Sequence, residues 1–153
     1  DILKTNQSYA LSFKELKSDT GLLYLHLHPT TSPHQIISLL DPLCIPHQIS
    51  LDEIGFAIQK KATPLYSQLL KWKAENNEQA AKKGISQLIH FLIKRCQRGI
   101  GDDDPLLRTN CGFCNDEPMF IDLGPFFWDP SIKDPKNYIP EIMRITTSLK
   151  IWL

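Results

Sequence analysis

Neither sign of charge predominates in this chain. Its 153 residues carry 17 Lys and Arg against 17 Asp and Glu, so no net field recruits nucleic acid or an acidic membrane. Long apolar runs are also missing; none approaches the roughly 20 residues that span a bilayer. Cysteine is sparse, with Cys44, Cys96, Cys111 and Cys114 alone. That is too few for a disulfide-built scaffold at this length, and a reducing cytoplasmic setting is expected. Cys111-x-x-Cys114 lacks a second Cys pair or a following His pair, which favours a hairpin with buried or half-buried thiols over a four-ligand zinc or redox site. There is no internal repeat, no low-complexity tract, no initiator Met and no signal-like segment. What is present is ordinary for a globular domain: 42% apolar and 22% charged residues, enough to build one core.

Local patterns predict a mainly helical α+β fold. Tyr9 to Phe13 alternates and reads as a strand, and Lys17 to Gly21 is a turn. Leu22 to His28 follows as a second strand, so residues 1–28 are expected to form a β-hairpin. Ser32-Pro33 has the form of a helix start, continued by Ile36, Ile37, Leu39 and Leu40 and stopped at Pro42. Ser50-Leu51-Asp52-Glu53 resembles a capping box ahead of another helix. Leu65, Leu69, Leu70 and Trp72 keep helical spacing until Asn76-Asn77.

The best-defined element is a helix in which Ile85, Leu88, Ile89, Leu92, Ile93 and Cys96 form an apolar stripe. Lys94, Arg95 and Arg98 are expected on its other faces, with Gly99 as its C-terminal cap. Two short strands, Cys111 to Cys114 and Met119 to Ile121, flank a turn over Asn115 to Pro118. Residues 123–137 read as a loop and Tyr138 to Leu153 as a closing helix. His26 and His28 share one face of their strand, but ordinary packing is a commoner fate for such a pair than metal binding. Trp72, Trp128 and Trp152 read as packing residues.

Chemistry concentrates after the long helix. Gly99-Ile100-Gly101-Asp102-Asp103-Asp104 forms an acidic loop, Asn110 follows, and Ile121-Asp122-Leu123-Gly124 closes the hairpin. An Asp that orients or deprotonates an acceptor, then an Asn and an Asp offering oxygen to a hard cation, is the order that magnesium-dependent phosphoryl transfer needs.

These parts resemble the C-terminal lobe of the protein-kinase-like superfamily with its hinge-side hairpin. The wording of the two loops is closest to phosphoinositide kinases. The resemblance spans residues 9–153, with specific motif residues only between Gly99 and Gly124. It implies Asn110 and Asp122 as Mg²⁺ ligands and Leu25, Leu27 and His28 as hinge contacts to ATP. The catalytic Asp is Asp102 by the Gly-Ile-Gly-Asp match or Asp104 by its distance to Asn110. Asp104 lies six residues before Asn110 and Asp102 eight, against the family's five, and the neighbouring His is absent. The family's Gly-rich loop and phosphate-pairing Lys are not found in the chain; if it is a fragment of a longer protein, both would lie before Asp1.

The sequence thus predicts one kinase-like domain, 1–28 hairpin and 29–153 helical lobe, transferring phosphate from ATP to a hydroxyl acceptor. A catalytically degenerate kinase-like module that binds a protein partner is the alternative. Nucleic acid is not an expected partner.

Overall fold

The computed structural model describes residues 2–104 and 106–153. In chain order the elements are helices α1 (Ile2–Glu15) and α2 (Lys17–Thr20), and strands β1 (Leu22–His26), β2 (Ile36–Leu40), β3 (Pro46–Ser50), β4 (Phe56–Gln59) and β5 (Thr63–Pro64). Helices α3 (Leu65–Ala74) and α4 (Glu78–Gln97) follow, then β6 (Ile100–Asp102), α5 (Leu107–Asn110), β7 (Cys111–Cys114), β8 (Glu117–Phe120) and β9 (Phe126–Trp128). A 3₁₀ turn, Pro130–Lys133, leads into α6 (Pro135–Trp152). The fold is α+β with small antiparallel sheets, divided into a larger unit, Asp1–Gly21 with Lys60–Leu153, and a smaller one, Leu22–Gln59. Among the described residues no helix is long and apolar enough to cross a membrane.

In the larger unit α4 runs as expected. Asn77 caps its start by accepting from Ala80 N–H (3.1 Å), and Gly99 ends it at φ 80°, a conformation that suits glycine. Leu88, Leu92 and Cys96 are fully buried on its stripe. Leu65, Leu69 and Trp72 of α3 and Ile145 and Leu149 of α6 complete the helical part of the core. The β7–β8 hairpin forms where expected, but Glu117 and Pro118, expected in its turn, belong to β8. Asn115 and Asp116 both take positive φ (52° and 63°), the two-residue turn whose twist suits a hairpin.

Three expectations are corrected. Tyr9 to Phe13 is not a strand but the middle of α1, so no hairpin forms with residues 22–28. The buried face of α1 is made of Ser8 and Ser12, four apart, small polar residues that give no apolar period to read. The segment after Pro33 is strand β2, not helix; an apolar run this short fits either state, and β-branched Ile36 and Ile37 favour the strand. The Ser50–Glu53 pattern is a turn between β3 and β4. Its Asp52 reaches back to accept from His34 N–H (3.0 Å) instead of capping a helix.

In the smaller unit β1 pairs with β4 and β2 with β3, both antiparallel. His26 is buried against Phe56, with ring centroids 5.0 Å apart. Its Nδ1 meets the Ile54 carbonyl at 2.9 Å and its Nε2 lies 2.9 Å from Thr30 Oγ1. Both ring nitrogens are engaged by protein, which is the packing role.

Candidate functional site

Strand β6 carries the acidic loop out of α4 and pairs with β9, Asp102 opposite Phe126. Residues 123–137, expected as loop, thus contain a strand; at three residues it is too short to show a period. Gly101 lies beneath the Phe127 ring, where an added Cβ would sit 2.3 Å from a ring carbon. The glycine of the Gly-Ile-Gly-Asp motif therefore allows β9 to close over β6.

Asp102 is buried at 5% exposure. Its Oδ2 takes a 2.5 Å bond from Arg95 Nη1, its Oδ1 accepts from Asp104 N–H (3.0 Å), and its carbonyl accepts from Arg144 (2.5 Å). Burial pushes its carboxyl up to about 6 even with the Arg95 charge beside it. Arg95 is itself inside, with Glu141 as second partner at 3.2 Å and the Phe126 ring 5.6 Å from its guanidinium carbon. The helix pattern placed Arg95 on an outer face. Two carboxylates and two rings instead hold it in the core, and Asp102 is set deep in that network.

Asp104 is half-buried above this network. Its side chain accepts from Leu106 N–H (3.2 Å), and its carbonyl accepts from Asn110 Nδ2 (3.2 Å). Asn110, buried at the end of α5, also takes Thr109 Oγ1–H on its Oδ1 (2.8 Å) and Ile121 N–H on its carbonyl (2.8 Å). The last of these bonds extends the β7–β8 ladder by one rung. Asn110 and Asp122 consequently leave the same end of the hairpin. Asp122 is exposed, and its Oδ1 caps the following turn by accepting from Gly124 N–H (2.9 Å).

Helix α1 holds that turn in place. Ser8 Oγ donates to the Leu123 carbonyl and accepts from Phe126 N–H (2.9 Å). Burial, then the negative charge of Asp122, raise the Tyr9 phenol above its usual range. Next to the turn is a cleft of about 360 Å³ lined by Lys4, Gln7, Leu11, Asp103, Phe127 and Trp128. Asp103 is exposed there while its N–H is fixed on the Pro125 carbonyl (3.0 Å).

No family model, curated protein or solved structure matches the chain. Function must therefore be argued from this geometry. Within the larger unit the Asn110 amide is tied to the Asp104 carbonyl and the Asn110 carbonyl to Ile121 N–H, one residue before Asp122, whose carboxylate accepts from Gly124 N–H. Leu25, Leu27 and His28 belong to the smaller one: Leu25 pairs with Ala57 in β1, Leu27 is half-buried and His28 is exposed. Among the described residues no three His, Cys, Asp or Glu side chains gather as a metal cluster. Arg95, Glu141, Ser8 and Asp103 were missed by sequence reasoning. Only Asp103 carried a signal, as the middle member of the acidic run.

Proposed function

We propose that the larger unit is the metal-binding and acceptor-binding part of an ATP- and Mg²⁺-dependent phosphotransferase. The observation that carries this reading is the Asn110 carbonyl–Ile121 N–H bond, which sets Asn110 and Asp122 at one hairpin end under the Asp104 loop. Their oxygens are of the hard type Mg²⁺ prefers, and two protein ligands suffice because the ion completes its shell with water and phosphate. In chemical type the donor set suits the ion. Bound there, Mg²⁺ would neutralise charge on the transferring phosphoryl group.

Asp104 orients the acceptor hydroxyl or takes its proton, since the Asp102 carboxylate is committed to Arg95. Hydrogen bonds from Asp104 N–H to Asp102 and from Asn110 to the Asp104 carbonyl fix the loop that aims it. The cleft beside Asp103, walled by Phe127 and Trp128, receives the acceptor. Positioning and charge neutralisation are the catalytic means, with no covalent protein intermediate.

The test is Mg-ATP binding by the full-length protein and its Asp122→Ala variant, read by thermal shift. Stabilisation of the wild type that disappears in the variant is expected; equal shifts would overturn the assignment. One observation favours the alternative of a kinase-like binding module: both ends of the Asn110 amide already have protein partners. No shift at all in the full-length wild type supports that module.

A further inference from the structure

The β2–β3 arm of the smaller unit has an edge strand whose own residues carry no safeguard. The strand Ile36-Ile37-Ser38-Leu39-Leu40 contains no charge and no proline, the two common safeguards of an exposed strand edge. Ile36 and Leu40 are 68% and 69% exposed and Leu39 47%. The arm is one two-stranded ladder, which is marginal in water unless something covers it.

The phase of the ladder decides which backbone groups point outward. Leu51 N–H donates to the Gln35 carbonyl (2.9 Å) at one end, and Asp41 N–H to the Ile45 carbonyl (3.1 Å) at the other. Bonded pairs alternate along an antiparallel ladder, so 37/49 and 39/47 are also bonded pairs. Ile36, Ser38 and Leu40 therefore direct their N–H and C=O groups away from β3. On the opposite edge the corresponding residues are Pro46, Gln48 and Ser50, and Pro46 has no N–H to offer.

We propose that β2 pairs antiparallel with β2 of a second copy of this chain, about a two-fold axis at Ser38. This inference is independent of the phosphotransferase reading. In that register Ser38 faces Ser38 of the other copy and Ile36 faces Leu40, and all three are outward-bonding positions. Every free group on the edge is matched, and the two arms form one four-stranded sheet. Ile37 faces Leu39 on the other side of the sheet, so apolar side chains meet on both faces. Each contact recurs with the copies exchanged, Ile36 on Leu40 and Leu40 on Ile36, as a closed two-fold interface requires.

Sedimentation of the full chain at micromolar concentration is expected to give a dimer. Ser38→Pro removes the N–H at the axis but no bond of the β2–β3 ladder, so it should leave circular dichroism unchanged. It loses two intermolecular hydrogen bonds and should weaken the dimer roughly tenfold or more. In a Cys44→Ser background, Ser38→Cys should give an intermolecular disulfide on mild oxidation, because bonded antiparallel pairs bring Cα atoms to about 5.5 Å. Gln48→Cys on the opposite edge should not. A monomeric wild type, an undiminished Ser38→Pro dimer, or cross-linking at Gln48 in place of Ser38 would each overturn the proposal.

Discussion

Arg95 is a cation removed from water, and its surroundings fix what its loss does. Arg95→Met leaves the Asp102 and Glu141 carboxylates without the charge between them. Destabilisation of about 3–5 kcal/mol is expected in urea unfolding, the range for breaking a buried ion pair from one side. Asp102 gives a second prediction, in pH. Its folded carboxyl is lifted to about 6 from an ordinary 3.8, so between those values the folded state keeps a proton the unfolded chain has lost. This group's contribution to stability must then fall as pH rises from about 4 to about 6. The unfolding free energy of wild type minus Asp102→Asn should drop by roughly 2–3 kcal/mol across that window, at about 1.4 kcal/mol per pKa unit. Parallel pH profiles for the two proteins would refute it. The cysteines separate by the same logic of burial. Cys44 is exposed, while burial pushes Cys111 up to about 12 and raises Cys96. Under native conditions at mildly alkaline pH, maleimide should label Cys44 and spare Cys96 and Cys111 until denaturant is added, as read by mass spectrometry.

Between elements, close packing can reverse an intrinsic preference. Alanine stabilises a helix interior by about 1 kcal/mol over glycine. Gly84 of α4, however, lies under Trp72 of α3, where an added Cβ would be 2.5 Å from the indole ring. Gly84→Ala should therefore lower the melting temperature, because overpacking of this kind costs about 1–3 kcal/mol. A raised melting temperature would show that the two helices separate easily. The same contrast explains which elements were legible in the sequence. Helices α3, α4 and α6 announce themselves by long apolar spacing and caps, and the β7–β8 turn by Asn115-Asp116. Helix α1 hides because serines, not leucines, face inward, β2 because Ser32-Pro33 ahead of it has the form of a helix start, and β6 and β9 because three residues show no period. At the candidate site, the order Asp104, Asn110, Asp122 could be read along the chain. The burial of Asp102 could not, since it depends on Arg95, seven residues earlier, and on Glu141 from α6. A pattern along one helix cannot tell a solvated arginine from one held by partners distant in sequence.

At the scale of the whole molecule, the smaller unit is an insertion. The chain leaves the larger unit at Gly21 and returns at Lys60, and Lys60 N–H donates to the Gly21 carbonyl (3.0 Å). Replacing residues 22–59 by a short turn should therefore leave the larger unit folded, with cooperative melting by circular dichroism. Loss of that transition would show the insertion to be indispensable. The excised 22–59 peptide, in which Leu22 and Leu51 are the buried apolar residues, should not fold alone. Ser8 has a different consequence, one for the order of assembly on the ribosome. Its two partners lie 115 and 118 residues further along the chain. At about 5–20 residues per second, α1 emerges roughly 6–25 s before the turn it holds has been made. Helix α1 thus cannot dock on that turn until long after its own synthesis, and during translation it must wait in solvent or on a chaperone.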